Sequence, residues 1–176
     1  MIVTMAGLPA SGKSTLARRL ASDWNGLVVD KDSVRAVLFG AFVDYTQEQD
    51  DLSMECVYSA VQYMARARPS APVFVDGRAF ALRYQWERAL EVMRATGAAW
   101  RVIETECSDE AARERLAAAN TNHPAANRDF ELYLSLKARR EPITAPKLIV
   151  NTEHPLEECL HACREYIISS ATSPTG

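Results

Sequence analysis

Short apolar runs alternate along the chain with longer segments in which apolar residues recur at helical spacing. The runs predict strands and the longer segments predict helices. Strands are predicted at 1–6, 26–30, 71–77, 100–107 and 147–152. Helices are predicted at 13–24, 46–68, 82–97, 108–120, 128–141 and 155–168, with a further one beginning near Asp32. This alternation indicates an α/β fold in which a five-stranded parallel sheet is covered by helices on both faces.

Length and composition favour one globular domain. The chain has 176 residues, of which 48% are hydrophobic and 24% are charged, as in ordinary proteins with one core. We expect this domain to span residues 1–170 and the small, polar segment 171–176 to fray. No apolar run is long enough to cross a membrane, the N-terminus lacks the basic lead of a signal peptide, and the four cysteines form no C-x-x-C pair. These features predict a cytoplasmic protein with reduced thiols.

The segment GLPASGKST, residues 7–15, separates the first predicted strand from the first predicted helix. This segment has the spacing G-x-x-x-x-G-K-[ST] of a phosphate-binding loop, at Gly7, Gly12, Lys13 and Ser14. The glycines let backbone N–H groups surround phosphate oxygens, the lysine adds a positive charge, and the serine hydroxyl can ligate Mg²⁺. The sequence therefore predicts a site for ATP with Mg²⁺, and GTP stays open although no guanine-specifying N-K-x-D stretch occurs. The predicted nucleotide-binding residues are Gly7, Leu8, Pro9, Ala10, Ser11, Gly12, Lys13, Ser14 and Thr15.

Charged residues follow the second predicted strand, at the end of a parallel sheet where ligands bind. The strand leads into VVDKDSVR, so Asp32 and Arg35 would lie one helical turn apart on one face. Beside a triphosphate, this pair suits phosphoryl transfer to an alcohol. Asp32 would accept or orient the hydroxyl proton, and Arg35 would hold an anionic group of the acceptor or the transferring phosphate. The alternative is that Asp32 only caps the helix and pairs there with Arg35.

The third predicted strand ends in Asp76. A carboxylate at this point can hold Mg²⁺ through water, together with Ser14, and the alternative is a simple Asp-Gly turn. Directly beyond it, Arg78 and Phe80 are candidates for the wall of an acceptor pocket. Asp30, at the end of the second strand, has two candidate roles, which are to order a water on Mg²⁺ or to stabilise the loop.

The order of these motifs resembles that of small P-loop kinases. GLPASGKST, then D-x-D-x-x-R, then an apolar strand ending in Asp is similar to the group that holds chloramphenicol phosphotransferase, the polynucleotide 5′-hydroxyl kinase domain and related AAA-type ATP-binding proteins. The resemblance implies the three-layer P-loop fold of the nucleotide-kinase type, with Asp32 as general base and Arg35 in contact with the acceptor or a phosphate. The D-x-D-x-x-R element also resembles that of adenylyl-sulfate kinases. Lys31 stands where those enzymes have Gly, and their proline- and arginine-rich segment after the third strand is replaced by DGRAFALRYQW.

The same resemblance implies a helical lid at about residues 113–140. Such lids close over the triphosphate, exclude water and bring arginines to the transferring phosphate. We expect Arg115 and Arg128 to act there. Many relatives carry a further arginine at the position of Asn120, so the choice between the two stays open. His123 is interpreted as a residue of the lid loop without a catalytic role.

The leading interpretation is a kinase that transfers the γ-phosphate of ATP to a hydroxyl group of a small molecule. A net charge of −3 and a pI near 5.7 argue against a nucleic-acid partner. The alternatives among enzymes are a polynucleotide 5′-hydroxyl kinase, an adenylyl-sulfate kinase and a toxin that phosphorylates an activated sugar. The alternative of another class is an ATP-dependent switch with slow hydrolysis. The acceptor pocket is expected around 36–60 and 78–86, where Phe39, Phe42 and Tyr45 form either an aromatic wall or part of the core. Neither the acceptor nor the oligomeric state can be read from the sequence.

Overall fold

A parallel sheet of five strands, in the order β2-β3-β1-β4-β5, lies at the centre of the molecule. The computed structural model describes residues 1–118 and 129–169. The strands are β1 (Ile2–Ala6), β2 (Leu27–Asp30), β3 (Val73–Asp76), β4 (Trp100–Glu106) and β5 (Leu148–Asn151). Each predicted strand is present, and its ends differ from the prediction by at most two residues. The predicted α/β fold with a five-stranded parallel sheet is confirmed.

Helices cover both faces of this sheet, as the burial of every residue of β1 requires. They are α1 (Lys13–Asp23), α2 (Lys31–Phe39), α3 (Gln47–Ala67), α4 (Arg83–Ala95), α5 (Asp109–Ala118), α6 (Phe130–Arg139) and α7 (Leu156–Ile168). A short 3-10 helix at Gly40–Phe42, which the apolar pattern did not predict, joins α2 to the segment before α3. Within residues 1–118 and 129–169, no helix is both long and apolar enough to cross a membrane.

Side chains of β1 enter two cores in turn, because successive residues of a strand face opposite sides of the sheet. Ile2 and Ala6 belong to the core on the side of α3 and α4, whereas Val3 and Met5 belong to the core on the side of α1 and α7. Both cores therefore hold the central strand. The loop that follows β1 therefore starts from a fully buried residue, Ala6.

The carboxyl ends of β1, β2 and β3 lie side by side at one edge of the sheet. Strand β3 pairs with β1 on one side and with β2 on the other, and Asp30 is the register partner of Asp76. The phosphate-binding loop follows β1 at this same edge. The three segments that the sequence singled out are therefore neighbours in space, at the edge where parallel sheets bind ligands.

Candidate active site

The loop at residues 7–15 is packed so closely that its glycines are required. Gly7 has a φ of +138°, and a Cβ atom there would lie 2.5 Å from the carbonyl oxygen of Thr105 on β4. Gly12 has a φ of +87° and is the N-cap residue of α1. The hydroxyls of Ser11 and Thr105 form a 2.6 Å hydrogen bond. These contacts hold the loop against β4 with backbone conformations that other residues rarely adopt.

Lys13 and Ser14 open helix α1 beneath this loop. Gly12 has no side chain that could accept from the N–H groups of the first helical turn, and that turn contains no acidic residue. The positive end of the helix dipole therefore faces the loop, which favours an anion. Lys13 is buried, and its ammonium donates to the carbonyl oxygen of Leu8 at 3.0 Å. The arrangement is that of a phosphate-binding site.

The loop forms the common wall of two cavities. One, of about 310 Å³, is lined by Asp32, Arg35 and Arg78, and we call it the Asp32 cavity. The other, of about 500 Å³, is lined by Arg115 and Thr152, and we call it the Thr152 cavity. Lys13 and Ser14 line both cavities. A phosphate chain bound in the loop would thus have an open space on either side.

Asp32 lies in the Asp32 cavity within a network of two acids and two bases. Its Oδ1 accepts a 2.8 Å hydrogen bond from Arg35 and lies 3.1 Å from the ammonium of Lys31. Asp50, on α3, forms ion pairs with the same two cations. Arg35 also lies over the ring of Tyr45, 4.6 Å from its centroid. Both cations that pair with Asp32 contact Oδ1, which leaves Oδ2 as the candidate atom for a ligand in the cavity that Asp32 lines.

Asp30, rather than Asp32, caps helix α2. The Asp30 carboxylate accepts hydrogen bonds from the backbone N–H groups of Asp32 and Ser33 and from the Ser33 hydroxyl. The alternative in which Asp32 only caps the helix is therefore wrong, although the pair that it forms with Arg35 is present. The Asp30 carboxylate also lies close to the backbone of Gly77, the residue that follows β3. A Cβ on Gly77 would lie 2.5 Å from Asp30 Oδ1. Asp30 thus has a structural role at the start of α2, and its candidate role toward a water on Mg²⁺ stays a prediction.

Asp76 is buried at the end of β3 and retains an unused oxygen. Its exposed fraction is 1%, and Oδ1 has no hydrogen-bond partner among the described residues. A buried carboxylate oxygen without a partner is costly, so a cation or a water bound to one would stabilise it here. Oxygen ligands are those that Mg²⁺ prefers, and Ser14 provides a hydroxyl on the wall of both cavities. The residues present therefore fit a magnesium ion.

Arg78 also lies in the wall of the Asp32 cavity, as the sequence suggested, but Phe80 does not. Arg78 is buried, and it donates to the carboxylate of Asp51 and to the hydroxyl of Tyr84. Phe80 is 1% exposed and packs edge to face against Trp86 in the core on the side of α3 and α4. The suggestion that Phe80 lines an acceptor pocket is thus wrong, because its ring is needed in that core.

Arg115 lies in the Thr152 cavity, on the opposite side of the loop from Asp32. Its guanidinium donates to the carbonyl oxygen of Ala10 at 3.2 Å and to the hydroxyl and carbonyl oxygens of Thr152 at 2.8 and 2.9 Å. It therefore joins α5 to the loop and to the end of β5. The predicted partner Arg128, together with Asn120 and His123, lies outside the described residues.

The predicted lid is described only at its two helices, α5 and α6. Arg113 on α5 lies over the ring of Phe130 on α6, 4.2 Å from its centroid. Asp109 on α5 accepts hydrogen bonds from Tyr133 and Lys137 on α6. The two helices are therefore fastened to each other, and Leu8 of the loop packs into the small core that they share.

The three aromatic residues around position 40 do not form a core. Phe42 is 85% exposed, and Phe39 is partly exposed. Tyr45 lines the Asp32 cavity. The interpretation of these residues as core is therefore wrong for Phe42, while Tyr45 fits the aromatic wall.

Asp50 and Arg139 are among the residues of the Asp32 cavity that the sequence reasoning missed. Asp50 lies in a run of acids at the start of α3, where acidic residues are expected for the helix dipole alone. Arg139 lies in the last turn of α6, where basic residues are expected for the same reason. In both cases the residue looked like an ordinary charge at a helix end, so the sequence did not indicate that it lines the cavity.

The fold and the loop define the chain as a P-loop protein with the fold of kinases, and this fold implies nucleotide binding. Residues 2–143 match the family model described as "AAA domain", and the chain belongs to that family. No curated protein sequence matches the chain. The resemblance to small P-loop kinases that the motifs indicated is confirmed at the level of family and fold.

Solved structures with this fold cover most of the chain at low sequence identity. Kti12 of Chaetomium thermophilum, in complex with ADP-AlF3, has a TM-score of 0.72 and 16% identity over 94% of this chain and 96% of its own. A sugar kinase from Janibacter sp. HTCC2649 has a TM-score of 0.68 and 15% identity over 94% and 93%. The APS kinase CysC of Mycobacterium tuberculosis, in complex with AMPPNP and APS, has a TM-score of 0.68 and 16% identity over 94% and 96%. At these identities the similarity concerns the fold.

Proposed function

We propose that the protein is an ATP- and Mg²⁺-dependent phosphotransferase that moves the γ-phosphoryl group to a hydroxyl of a small molecule. One observation carries the proposal. Lys13 and Ser14 form the shared wall of two cavities, and the carboxylate of Asp32 lines one of them. Two ligands could thus meet at the phosphate-binding loop, one from either side.

The Thr152 cavity suits the nucleoside part of ATP. Its volume of about 500 Å³ is within the range of small-ligand sites, and its wall combines apolar Leu116 and Leu156 with polar Thr152 and His154. The backbone amides of the loop and the Lys13 ammonium would then bind the phosphates. The phosphate chain would run through the loop toward the Asp32 cavity.

In this mechanism Asp32 positions the acceptor hydroxyl and accepts its proton. Arg35 and Lys31 hold Oδ1, so the carboxylate has a fixed orientation, and Oδ2 meets the hydroxyl. The hydroxyl oxygen forms a bond to the γ-phosphorus as the bond from that phosphorus to the bridging oxygen of ADP breaks. Arg35, paired with both Asp32 and Asp50, holds the base in place. Arg115 lies in the Thr152 cavity and donates to the carbonyl oxygen of Ala10, so it would act from the nucleoside side of the loop. Arg128 remains a proposal from the resemblance.

Ser14 and Asp76 are the residues that would hold Mg²⁺, Asp76 in part through water. When bound, the ion neutralises charge on the phosphate oxygens. Asp76 Oδ1 is buried and has no hydrogen-bond partner among the described residues, so it is available to the ion.

A small acceptor is favoured over a polymer by the size and the charge of the protein. The Asp32 cavity holds about 310 Å³, which is the volume of a small-molecule site. The chain has a net charge of −3, whereas nucleic-acid binding needs a basic track.

The experiment is transfer of label from γ-labelled ATP to a panel of acceptors, with and without Mg²⁺. The panel contains sugars, sugar acids, nucleosides, aminoglycosides, chloramphenicol-like alcohols, adenylyl sulfate and 5′-hydroxyl oligonucleotides. We expect label on a small molecule, lost when the metal is chelated. Label on oligonucleotides alone would identify a polynucleotide kinase instead. Free phosphate released at one slow rate across the panel would favour a nucleotide-dependent switch.

A further inference from the structure

We propose that the acceptor carries an oxyanion, a carboxylate or a phosphate, in addition to its reacting hydroxyl, and that Arg78 and Arg139 bind this group. The inference rests on the proposed function and names the substrate class of the same site. It is drawn from the charge of the Asp32 cavity and from an unpaired donor in its wall.

Basic side chains outnumber acidic ones around the Asp32 cavity. Among the described residues, its acidic side chains are Asp32 and Asp50. Its basic side chains are Lys13, Lys31, Arg35, Arg78 and Arg139. Lys31 and Arg35 are paired with the two acids, and Lys13 serves the nucleotide phosphates. The charges of Arg78 and Arg139 are therefore matched by no acid that lines the cavity, within the described part of the chain.

Arg78 has a hydrogen-bond donor that is unused within the described part of the chain. It is 6% exposed, and its Nε–H has no hydrogen-bond partner among residues 1–118 and 129–169. Asp51 and Tyr84 hold the guanidinium through Nη2. A guanidinium has five N–H donors in a planar fork, so a second oxyanion can bind while Asp51 is in place. A buried donor without a partner costs free energy, so an oxyanion that reached Nε from the cavity would recover part of it.

Arg139 presents a second guanidinium from another element of the wall. Its Nε donates to the carbonyl oxygen of Ser135 one helical turn back. The end of α6 is held in place by its next two residues. Arg140 forms an ion pair with the buried Glu104, and the N–H of Glu141 donates to the carbonyl oxygen of Ala81 at 2.8 Å. Arg139 is thus a solvent-accessible cation on an anchored helix end.

The rest of the wall suits a short carbon skeleton. Pro9, Leu82, Leu132 and Leu136 contribute apolar surface to the same cavity. An acceptor with a hydroxyl at Asp32 and an oxyanion at the two arginines would place its carbon chain against such surface. Sugar acids and sugar phosphates have this combination of groups.

The first test measures inorganic phosphate binding by calorimetry with the loop saturated by AMPPNP and Mg²⁺. The variants are Arg78→Gln and Arg139→Gln, and the control is Arg83→Gln, an exposed arginine that lies outside the cavity wall and pairs with Glu141. We expect each cavity variant to weaken phosphate binding about tenfold, because a charge-assisted hydrogen bond is lost, and the control to leave it unchanged. Since Arg78 is buried and its variant can lose stability, Arg139→Gln decides the outcome if thermal unfolding shows that Arg78→Gln is not folded.

The second test uses matched pairs of ligands that differ in one charge. Gluconate is compared with sorbitol, and glucose 6-phosphate with glucose, under the same conditions. We expect the anionic member of at least one pair to bind about tenfold tighter in the wild type, an advantage that shrinks in Arg139→Gln. An advantage of gluconate over sorbitol would indicate a site for a carboxylate. An advantage of glucose 6-phosphate over glucose would indicate a site for a phosphate.

The outcomes separate this inference from the proposed function. Phosphate affinity that is unaffected by both cavity variants, or charged and neutral members that bind alike, would overturn the inference. If the oxyanion inference fails in this way but label is transferred to neutral sugars, the proposed phosphotransferase activity is still supported. Arginine-dependent binding of the anions without any label transfer would support the oxyanion site and contradict the proposed reaction.

Discussion

Asp32 and Asp50 hold the same two cations. The ammonium of Lys31 lies 3.1 Å from Asp32 Oδ1 and 3.0 Å from Asp50 Oδ1, and the guanidinium of Arg35 binds both acids through its two terminal nitrogens. Asp32 and Arg35 are both buried, so the ion pair between them is only weakly screened by solvent. The network fixes the carboxylate that the proposed mechanism uses, and it joins α2 to α3 at the mouth of the sheet.

Replacing Asp32 by Asn should abolish most of the turnover. The amide keeps the shape of the side chain but cannot accept the hydroxyl proton, so kcat should fall by about 10²- to 10⁴-fold. Nucleotide affinity, measured by calorimetry with AMPPNP, should stay within a factor of about two because Asp32 lies on the other side of the loop. Glu87→Gln, an exposed carboxylate on α4, is the control. Unchanged turnover in Asp32→Asn would remove Asp32 from the mechanism.

Replacing Asp50 by Asn should affect the acceptor and spare the nucleotide. Asp50 is a positioning residue, since it acts through Lys31 and Arg35. Loss of its charge should lower kcat/KM for the acceptor about tenfold, while the Kd for AMPPNP stays the same. Glu48→Gln, an exposed residue on the same helix, provides the comparison. A parallel loss of nucleotide affinity would show that Asp50 has a general structural role instead.

Gly77→Ala should destabilise the fold more than Gly97→Ala. Both residues have positive φ, +89° and +65°, so each substitution carries backbone strain of about 1 kcal/mol. A Cβ on Gly77 would also lie 2.5 Å from Asp30 Oδ1, whereas nothing lies within 4 Å of one on Gly97. We expect Gly77→Ala to cost at least about 1 kcal/mol more, which corresponds to a further drop in Tm of about 2–4 °C. Equal Tm values for the two variants would contradict this close contact.

The contribution of Asp109 to stability should disappear at low pH. Hydrogen bonds from Lys137 and Tyr133 lower the pKa of Asp109 below its ordinary value. A carboxyl group with a lowered folded-state pKa stabilises the fold above its unfolded-state pKa, and this stabilisation is lost as the pH falls through the folded-state value. Asp109→Asn should therefore unfold more easily than the wild type at neutral pH, and the difference should narrow toward about pH 3.

Denaturant unfolding across this pH range tests the Asp109 prediction. Glu110→Gln removes an acid from the same helical turn, so it controls for the helix dipole. A difference between Asp109→Asn and wild type that is constant with pH would show that the ion pair contributes nothing.

The four cysteines should react with a thiol reagent in a fixed order. Cys56 is exposed, Cys107 is half-buried, and Cys159 and Cys163 are buried. Burial raises the pKa of Cys163 to about 12, so its thiolate is scarce at moderately alkaline pH. One thiol should therefore react fast with Ellman's reagent, and Cys56→Ser should remove that phase. Rapid reaction of Cys159 or Cys163 without denaturant would contradict the packing of α7.

Most of the fold was predictable from sequence because the spacing of apolar residues and the positions of glycines determine structure locally. The apolar run of β1 is buried in two cores, and the glycine and lysine spacing of the loop has one main structural use. The helix at Gly40–Phe42 was missed because a three-residue element is too short to establish a period.

The site was predictable only where its residues follow strands. Asp32 and Asp76 could be found because the edge of a parallel sheet determines where they point. Which acid caps α2 depended on where the helix begins to within one residue, and local patterns rarely resolve that. Asp50 and Arg139 lie on helices whose orientation depends on tertiary packing, so no local pattern distinguishes them from ordinary helix-end charges.

Because Lys13 and Ser14 belong to the walls of both cavities, the two ligands of the proposed reaction would be thermodynamically linked. The factor by which occupancy of the Thr152 cavity changes affinity at the Asp32 cavity equals the factor for the reverse order, since binding free energies form a closed cycle. The same coupling free energy can therefore be measured by titrating either ligand first. A substitution of Lys13 or Ser14 that changes this coupling free energy would therefore change it equally for either order of binding.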